Sequence, residues 1–129
     1  MTSILGLGLD VVDLERVGRL YARYGDGFAR RFCLPGERLP RTGAGLVQHL
    51  GGLFAAKEAV LKALGTGWAQ GLGLQHVEVV RGAGGAPGVR LHRAAKERAA
   101  SLGVSRIHLS ITHDRGYAAA VAVLEGAHG

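Results

Sequence analysis

Four side chains in this sequence have the chemistry to handle a phosphate ester: Asp10, Glu58, Lys62 and His113. Glu58 and Lys62 are four residues apart, so on a helix they meet on one face. Alone, that spacing describes a surface ion pair worth about 0.3–0.5 kcal/mol. A second carboxylate changes its meaning. Asp10 closes an apolar run, where a buried acid is costly unless it is paired. Two carboxylates with room for water and phosphate oxygens suit Mg²⁺, a hard ion that binds oxygen. A neighbouring lysine neutralises charge on a transferred phosphoryl group or protonates a leaving group. His113 shares the parity of Ile107, Leu109 and Ile111 but stands before a turn, which places it at the rim of a sheet. Spacing alone favours a turn or capping histidine. None of the other histidines forms a zinc spacing with Cys33.

The elements that must carry these groups follow from pattern. Ile4 to Asp10 reads as a short buried strand with the carboxylate at its end. Asp13 is a plausible N-cap for a helix over Leu14–Tyr24, and Phe28 to Phe32 continues as a second helical turn. A long helix is expected from about Ala44 to Leu64, with Leu46, Val47, Leu50, Phe54, Leu61 and Leu64 on its apolar face. Gly51 and Gly52 weaken it or permit close packing. Gly65 fits the left-handed position after a helix C-terminus. His76 to Arg81 and the segment with Val89 and Leu91 form a hairpin across a Gly/Pro loop. Residues 93–102 are helical. Ile107 to Thr112 and Tyr117 to Leu124 make a last hairpin around Asp114-Arg115-Gly116. The fold class is α+β, a small antiparallel sheet packed with a long central helix and shorter helices. The last strand is too uniformly apolar for a sheet wet on one side. Either both faces are covered or it builds a subunit interface.

Composition sets the frame. A chain of 129 residues argues for a single domain over 1–129. A hydrophobic fraction of 47% excludes a disordered chain. No apolar stretch approaches the ~20 residues of a membrane span, and the N-terminus does not read as a signal peptide. A single cysteine excludes an intramolecular disulfide and points to reducing cytosol. The formal charge of +6 invites an acidic partner. Arg16, Arg19 and Arg23 share one helix face, and with no acids expected in that stripe it reads as either a solvated surface or a docking face for such a partner. Several motifs fail. Gly6-x-Gly8-x-Asp10 lacks the third glycine of a dinucleotide fingerprint, Lys62 to Gly67 lacks the Gly-Lys-Ser/Thr of a P-loop, and Ser110 lacks a nucleophile elbow. The residues alone reach a candidate Mg²⁺-dependent phosphate enzyme.

The same residues carry a resemblance. Gly8-Leu9-Asp10-Val11-Val12-Asp13-Leu14-Glu15-Arg16-Val17 resembles the N-terminal motif of the holo-[acyl-carrier-protein] synthases. Phe54-Ala55-Ala56-Lys57-Glu58-Ala59-Val60-Leu61-Lys62-Ala63-Leu64-Gly65-Thr66-Gly67 is similar to their central signature. Ala86 to Leu91 matches their glycine-proline hairpin, and Ser110-Ile111-Thr112-His113 their C-terminal motif. The resemblance implies the 4′-phosphopantetheinyl transferase fold. It also implies transfer of phosphopantetheine from coenzyme A to a serine of apo acyl carrier protein, with Mg²⁺, releasing adenosine 3′,5′-bisphosphate. It implies Asp10 and Glu58 as metal ligands, with Glu58, directly or through a water, helping to deprotonate the serine. Lys62 would stabilise or protonate the leaving phosphate, and His113 would contact the coenzyme A phosphates. Gly65, Thr66, Gly67 and Pro87 would lie near the nucleotide. Arg16, Arg19 and Arg23 would dock the acidic carrier. The family forms homotrimers with the active site between subunits, and its members work in the cytoplasm on fatty acid or polyketide carriers. One departure stands out. The family commonly has Arg where this chain has Leu53, so that contact is absent or supplied elsewhere, as by Arg41 or Lys57. The competing readings are a basic nucleic-acid-binding module, which lacks an aromatic stacking platform, and a non-catalytic scaffold for carrier protein. The resemblance favours neither nucleic acid nor membrane as a partner.

Overall fold

The computed structural model describes residues 1–37, 43–65 and 71–127. Arg41, Thr66 and Gly67 therefore lie outside the described residues. The described chain runs β1 (Thr2–Asp13), α1 (Leu14–Tyr24), α2 (Asp26–Arg30), α3 (Gly43–Leu64), β2 (Val77–Arg81), β3 (Pro87–Leu91), α4 (Arg93–Leu102), β4 (Val104–Asp114) and β5 (Tyr117–Ala127). β1, β5 and β4 form an antiparallel sheet in that order, and β2 and β3 form a separate hairpin. The strands therefore divide into two antiparallel groups rather than one sheet. Among the described residues no helix is long and apolar enough to cross a membrane.

The α3 helix lies on the inner face of the three-stranded sheet, and small residues let it come close. Ala118, Ala120 and Ala122 of β5 are buried beneath it. In β1 the contact is tighter still. A Cβ on Gly6 would stand 2.1 Å from the carbonyl oxygen of Ala63, and one on Gly8 would stand 1.8 Å from that of Ala59. Only glycine fits there, so strand backbone rests directly on helix backbone. Gly51 and Gly52 are likewise packing positions, filled by Leu14 and Ile111. The core around α3 comprises Leu50, Leu53, Val60, Leu61 and Leu64, with Leu124 from the sheet.

The expectation of a short buried strand at Ile4–Asp10 is corrected. β1 is 12 residues long and continues past Asp10 to Asp13. Its glycines face α3, and the residues between them face outward, with Leu7, Leu9 and Val11 exposed at 65%, 60% and 59%. The register puts Leu7 beside Val123, Leu9 beside Val121 and Val11 beside Ala119. Across β5 these meet His108, Ser110 and Thr112 of β4. The outer face is therefore an open apolar stripe bordered by polar residues. The uniform apolarity of β5 is accounted for on one side by α3 only.

Candidate active site

The turn from β1 into α1 builds the first half of the site. Oδ1 of Asp13 accepts from the backbone N–H groups of Glu15 (2.9 Å) and Arg16 (3.4 Å), capping α1 as expected. This abrupt strand-to-helix junction brings Asp10 and Arg16 to the same cavity, of about 340 Å³. Glu58 of α3 faces it from the other side, and Val17, Leu20, Phe28 and Phe54 give it apolar walls. Lys62 lies one turn beyond Glu58. Its Nζ donates to Oδ1 of Asp10 (2.9 Å) and to the carbonyl oxygen of Leu9 (3.1 Å). These bonds exist because Gly6 and Gly8 let β1 settle onto α3.

Asp10, Glu58 and Lys62 are thus gathered, as the sequence suggested. Burial pushes the Glu58 carboxyl above its ordinary range. The charge of Asp10 pushes it the same way, and Lys62 opposes both. A carboxyl group held up by burial and by a neighbouring carboxylate makes a ready cation site. Among the described residues no three His, Cys, Asp or Glu side chains cluster to hold a metal. A two-carboxylate set fits Mg²⁺, which keeps water and substrate oxygens in its remaining positions, and does not fit structural zinc.

His113 is elsewhere. It faces inward from the end of β4, on the sheet row of Ala118 and Val12. It lines a second cavity of about 500 Å³ with Gln48, His49, Leu53, Arg81 and Ile111. No described residue lines both cavities. Within one chain, the geometry does not bring His113 to Asp10, Glu58 and Lys62. Ser110 and Thr112 of its motif point to the outer face instead, because successive strand residues alternate. Pro87 opens β3, two residues beyond Gly85, which lines the His113 cavity. Gly65 ends α3 with φ +84°, the left-handed position expected of it.

Two expectations fail. Lys57 is fully buried and unavailable to a phosphate. Its Nζ pairs with Oε1 of Glu37 at 2.8 Å, with both side chains at 0% exposure. It also donates to the carbonyl oxygens of Leu74 (3.2 Å) and Val77. Glu37 in turn accepts from the N–H groups of Leu34 and Val79, both at 2.7 Å. This buried knot ties α3 to β2. Its signal was in the sequence: Lys57 is three, four and seven residues from Val60, Leu61 and Leu64, on the buried face. The second correction concerns the arginine stripe of α1, which is not free of acids. Glu15 lies four residues before Arg19 and pairs with it at 3.3 Å, the helical spacing at which opposite charges meet. Arg23 sits over the ring of Tyr24, 5.3 Å from its centroid. Arg16 alone of the three lines the Asp10 cavity.

Comparison with known proteins agrees with this architecture. The family model of the 4′-phosphopantetheinyl transferase superfamily matches residues 6–122. The holo-[acyl-carrier-protein] synthase of Solidesulfovibrio magneticus is 48% identical over 123 residues, 95% of this chain and 99% of that one. The crystal structure of the holo-[acyl-carrier-protein] synthase of Neisseria meningitidis superposes with a TM-score of 0.84 at 34% identity, covering 95% of this chain and 98% of that one. That of Helicobacter pylori, in complex with coenzyme A, gives 0.79 at 30% identity and covers 92% and 98%. With the four motifs in order and the fold matched end to end, the chain belongs to the 4′-phosphopantetheinyl transferase superfamily and, within it, to the holo-[acyl-carrier-protein] synthases.

Proposed function

We propose that this chain moves the 4′-phosphopantetheine group of coenzyme A onto a serine of an apo acyl carrier protein. The observation that carries the reading is the meeting of Asp10 and Glu58 at one cavity, with Lys62 bonded to Asp10 and the Glu58 carboxyl raised by burial and by its neighbour's charge. Asp10 and Glu58 would hold Mg²⁺. Bound there, the ion would neutralise the pyrophosphate and polarise it toward attack. The chain's own residues do the rest. Glu58, directly or through a water, accepts the proton of the serine hydroxyl, a weak nucleophile until deprotonated. The serine oxygen forms a bond to the phosphorus that bears the pantetheine arm. The bridging P–O bond to the nucleotide breaks, and adenosine 3′,5′-bisphosphate leaves. Lys62 exchanges its hold on Asp10 for the leaving phosphate, whose new charge it stabilises or protonates.

A second copy of the chain would complete the site. His113 and its cavity are separated from Asp10 within one chain, and the open apolar face of β1 and β5 needs a cover. Both features support a homotrimer in which His113 of one copy meets the phosphates held by another. The nucleotide would reach toward Gly65 and Pro87, as the family motif implies. Arg16, beside the cavity, is the strongest candidate for carrier docking, with Arg19 and Arg23 extending that surface along α1. Fatty acid synthesis in the cytoplasm is the setting this implies, with polyketide carriers as further substrates.

The test is incubation with coenzyme A, Mg²⁺ and apo carrier protein, read by intact mass. A carrier adduct that requires Mg²⁺ is expected. No adduct, where a competent transferase modifies the same carrier, would refute the reading.

A further inference from the structure

The transfer chemistry leaves the buried pair of Lys57 and Glu37 without a task. Both side chains are shut off from water. The three donors of the ammonium go to Oε1 of Glu37 and to the carbonyl oxygens of Leu74 and Val77. The carboxylate also accepts from the N–H groups of Leu34, on Oε1, and of Val79, on Oε2. The carbonyl oxygen of Glu37 meets Nε2 of His49, an earlier residue of α3, at 2.8 Å. Replacing a buried pair by neutral residues of like volume is often harmless or stabilising, so stability alone does not explain it. What the pair adds is direction. Around Glu58 the buried neighbours on α3 include Ala55, Ala56 and Ala59, whose methyl groups interlock little with what they touch. Lys62 ties α3 to Asp10, but in the proposed reaction it lets go of Asp10 for the leaving phosphate.

We infer that Lys57 and Glu37 are positioning residues for Glu58: their pair fixes the rotation of α3 about its axis and so keeps the Glu58 carboxylate at the Asp10 cavity. This rests on the transferase reading and adds to it two residues that touch no substrate. The argument is geometric. Lys57 and Glu58 are adjacent on one helix, about 100° apart around its axis. Any turn of α3 that breaks the Lys57 bonds therefore swings Glu58 through the same angle. The tip of a helical side chain stands about 5–6 Å from the axis, so a turn of about 10° carries it about 1 Å. A displacement of that size at a reacting group costs about a hundredfold in rate. The anchors lie off the helix, on the turn Pro35–Glu37 and on the chain entering β2. None of them lines the Asp10 cavity, so they keep their hold whatever occupies it.

The experiment compares the unmodified protein with Lys57→Met/Glu37→Gln, in which neither side chain is charged. Thermal unfolding checks the fold. The kcat for carrier modification should fall about ten- to a hundredfold, while KM for coenzyme A stays within a few-fold, the mark of lost alignment rather than lost binding. The rise in thermal midpoint on adding Mg²⁺ should shrink as well, because carboxylates out of register bind the ion less tightly. Glu37→Gln alone keeps an oxygen for Lys57 and should lose less on both readouts. Val79→Ala is the control: it loosens the packing of β2 and leaves the bonds of Lys57 and Glu37 in place. Equal losses in Val79→Ala overturn the assignment and leave the transferase reading standing. So does a folded double variant, or failing that Glu37→Gln, with the kcat and Mg²⁺ response of the unmodified protein. No transfer by the unmodified protein overturns both.

Discussion

Replacing Gly8 with alanine probes the link between backbone packing and chemistry most directly. The new Cβ would lie 1.8 Å from the carbonyl oxygen of Ala59 and 2.8 Å from the amide nitrogen of Ala63. Both atoms are helix backbone and cannot swing aside. Ordinary contact for a Cβ begins near 3.4 Å, so β1 must retreat from α3 by about 1.6 Å at this point. Asp10 is two residues along the same face, and Lys62 spans the gap with bonds of 2.9 and 3.1 Å. A retreat of that size takes both beyond hydrogen-bonding reach and moves one carboxylate away from Glu58. Overpacking of this kind costs about 1–3 kcal/mol of stability. A misplacement of about 1 Å at reacting groups costs about a hundredfold in rate. Gly27→Ala is the control: nothing lies within 4 Å of its Cβ, and helix propensity favours alanine by about 0.8–1.0 kcal/mol. Urea unfolding followed by circular dichroism, alongside carrier modification read by intact mass, separates the two effects. If Gly8→Ala unfolds at the midpoint of the unmodified protein and turns over within a few-fold of it, the close packing of β1 on α3 is not what sets the site.

Three further outcomes are expected. Glu58→Gln should abolish transfer yet stabilise the metal-free fold near neutral pH. Because the folded carboxyl titrates above its ordinary 4.5, the unmodified protein has this stability below pH 4.5 and loses it as pH rises through the folded value. The two thermal midpoints should therefore converge in acid and diverge above it, and Mg²⁺ should raise only that of the unmodified protein; a Glu58→Gln variant less stable at every pH would contradict this. Lys57→Met leaves Glu37 charged and unpaired in the core and should cost about 3–5 kcal/mol. Adding Glu37→Gln should recover part of that loss in denaturant titrations, and no recovery would show that the pair is not the source. Leu9→Glu places a charge in the outer apolar stripe and should drive sedimentation to the monomer, with transfer lost in parallel. A monomeric variant with full activity would eliminate the shared site.

The helices were the legible part of the fold, because their ends are written in local chemistry. Asp13 caps α1, Gly25 stops it, and Gly103 with φ +84° stops α4, each on a local cue. In β1, apolar residues with interspersed glycines read as a buried strand, whereas the glycines mark the buried face and the leucines the open one. Asp10, Glu58 and Lys62 were legible as a group because a helix fixes two of them and paired acids explain the third. The charge of Lys57 reads as solvent-facing, whereas its position on the apolar face of α3 buries it. The buried partner, Glu37, is 20 residues away and has no pattern to announce it. The resemblance implies one active site for His113 and the acids, but order along a chain does not say which copy supplies a residue. Arg81 had no motif at all, and only the folding of the β2–β3 hairpin over α3 and β4 brings it to His113.

The sheet explains why the chemistry divides as it does. A three-stranded sheet has two edges, and β5 in the middle spends its inner face on α3. Groups that face α3 from β1 and from β4 are therefore separated by a full strand of alanines that offers no reactive side chain. Asp10 emerges beside α1 and Glu58, in a cavity with an excess of carboxylate. His113 emerges at the far edge beside the hairpin, in a cavity with Arg81 and no described acid. Under the proposed function each would be half of what a pyrophosphate with a charged nucleotide end requires: one half would take a metal, the other anions. In the proposed assembly the outer face would supply the means of joining them, since Leu7, Leu9 and Val11 form an exposed apolar stripe. In the proposed assembly the same strand does both tasks on alternate residues. Its even positions bring Asp10 to the Glu58 cavity, and its odd positions would bring the next copy's His113 to the substrate. The period of two that hides Gly8 under α3 is thus the period that exposes Leu9 to a neighbour, and a shift of one residue in β1 would lose both together.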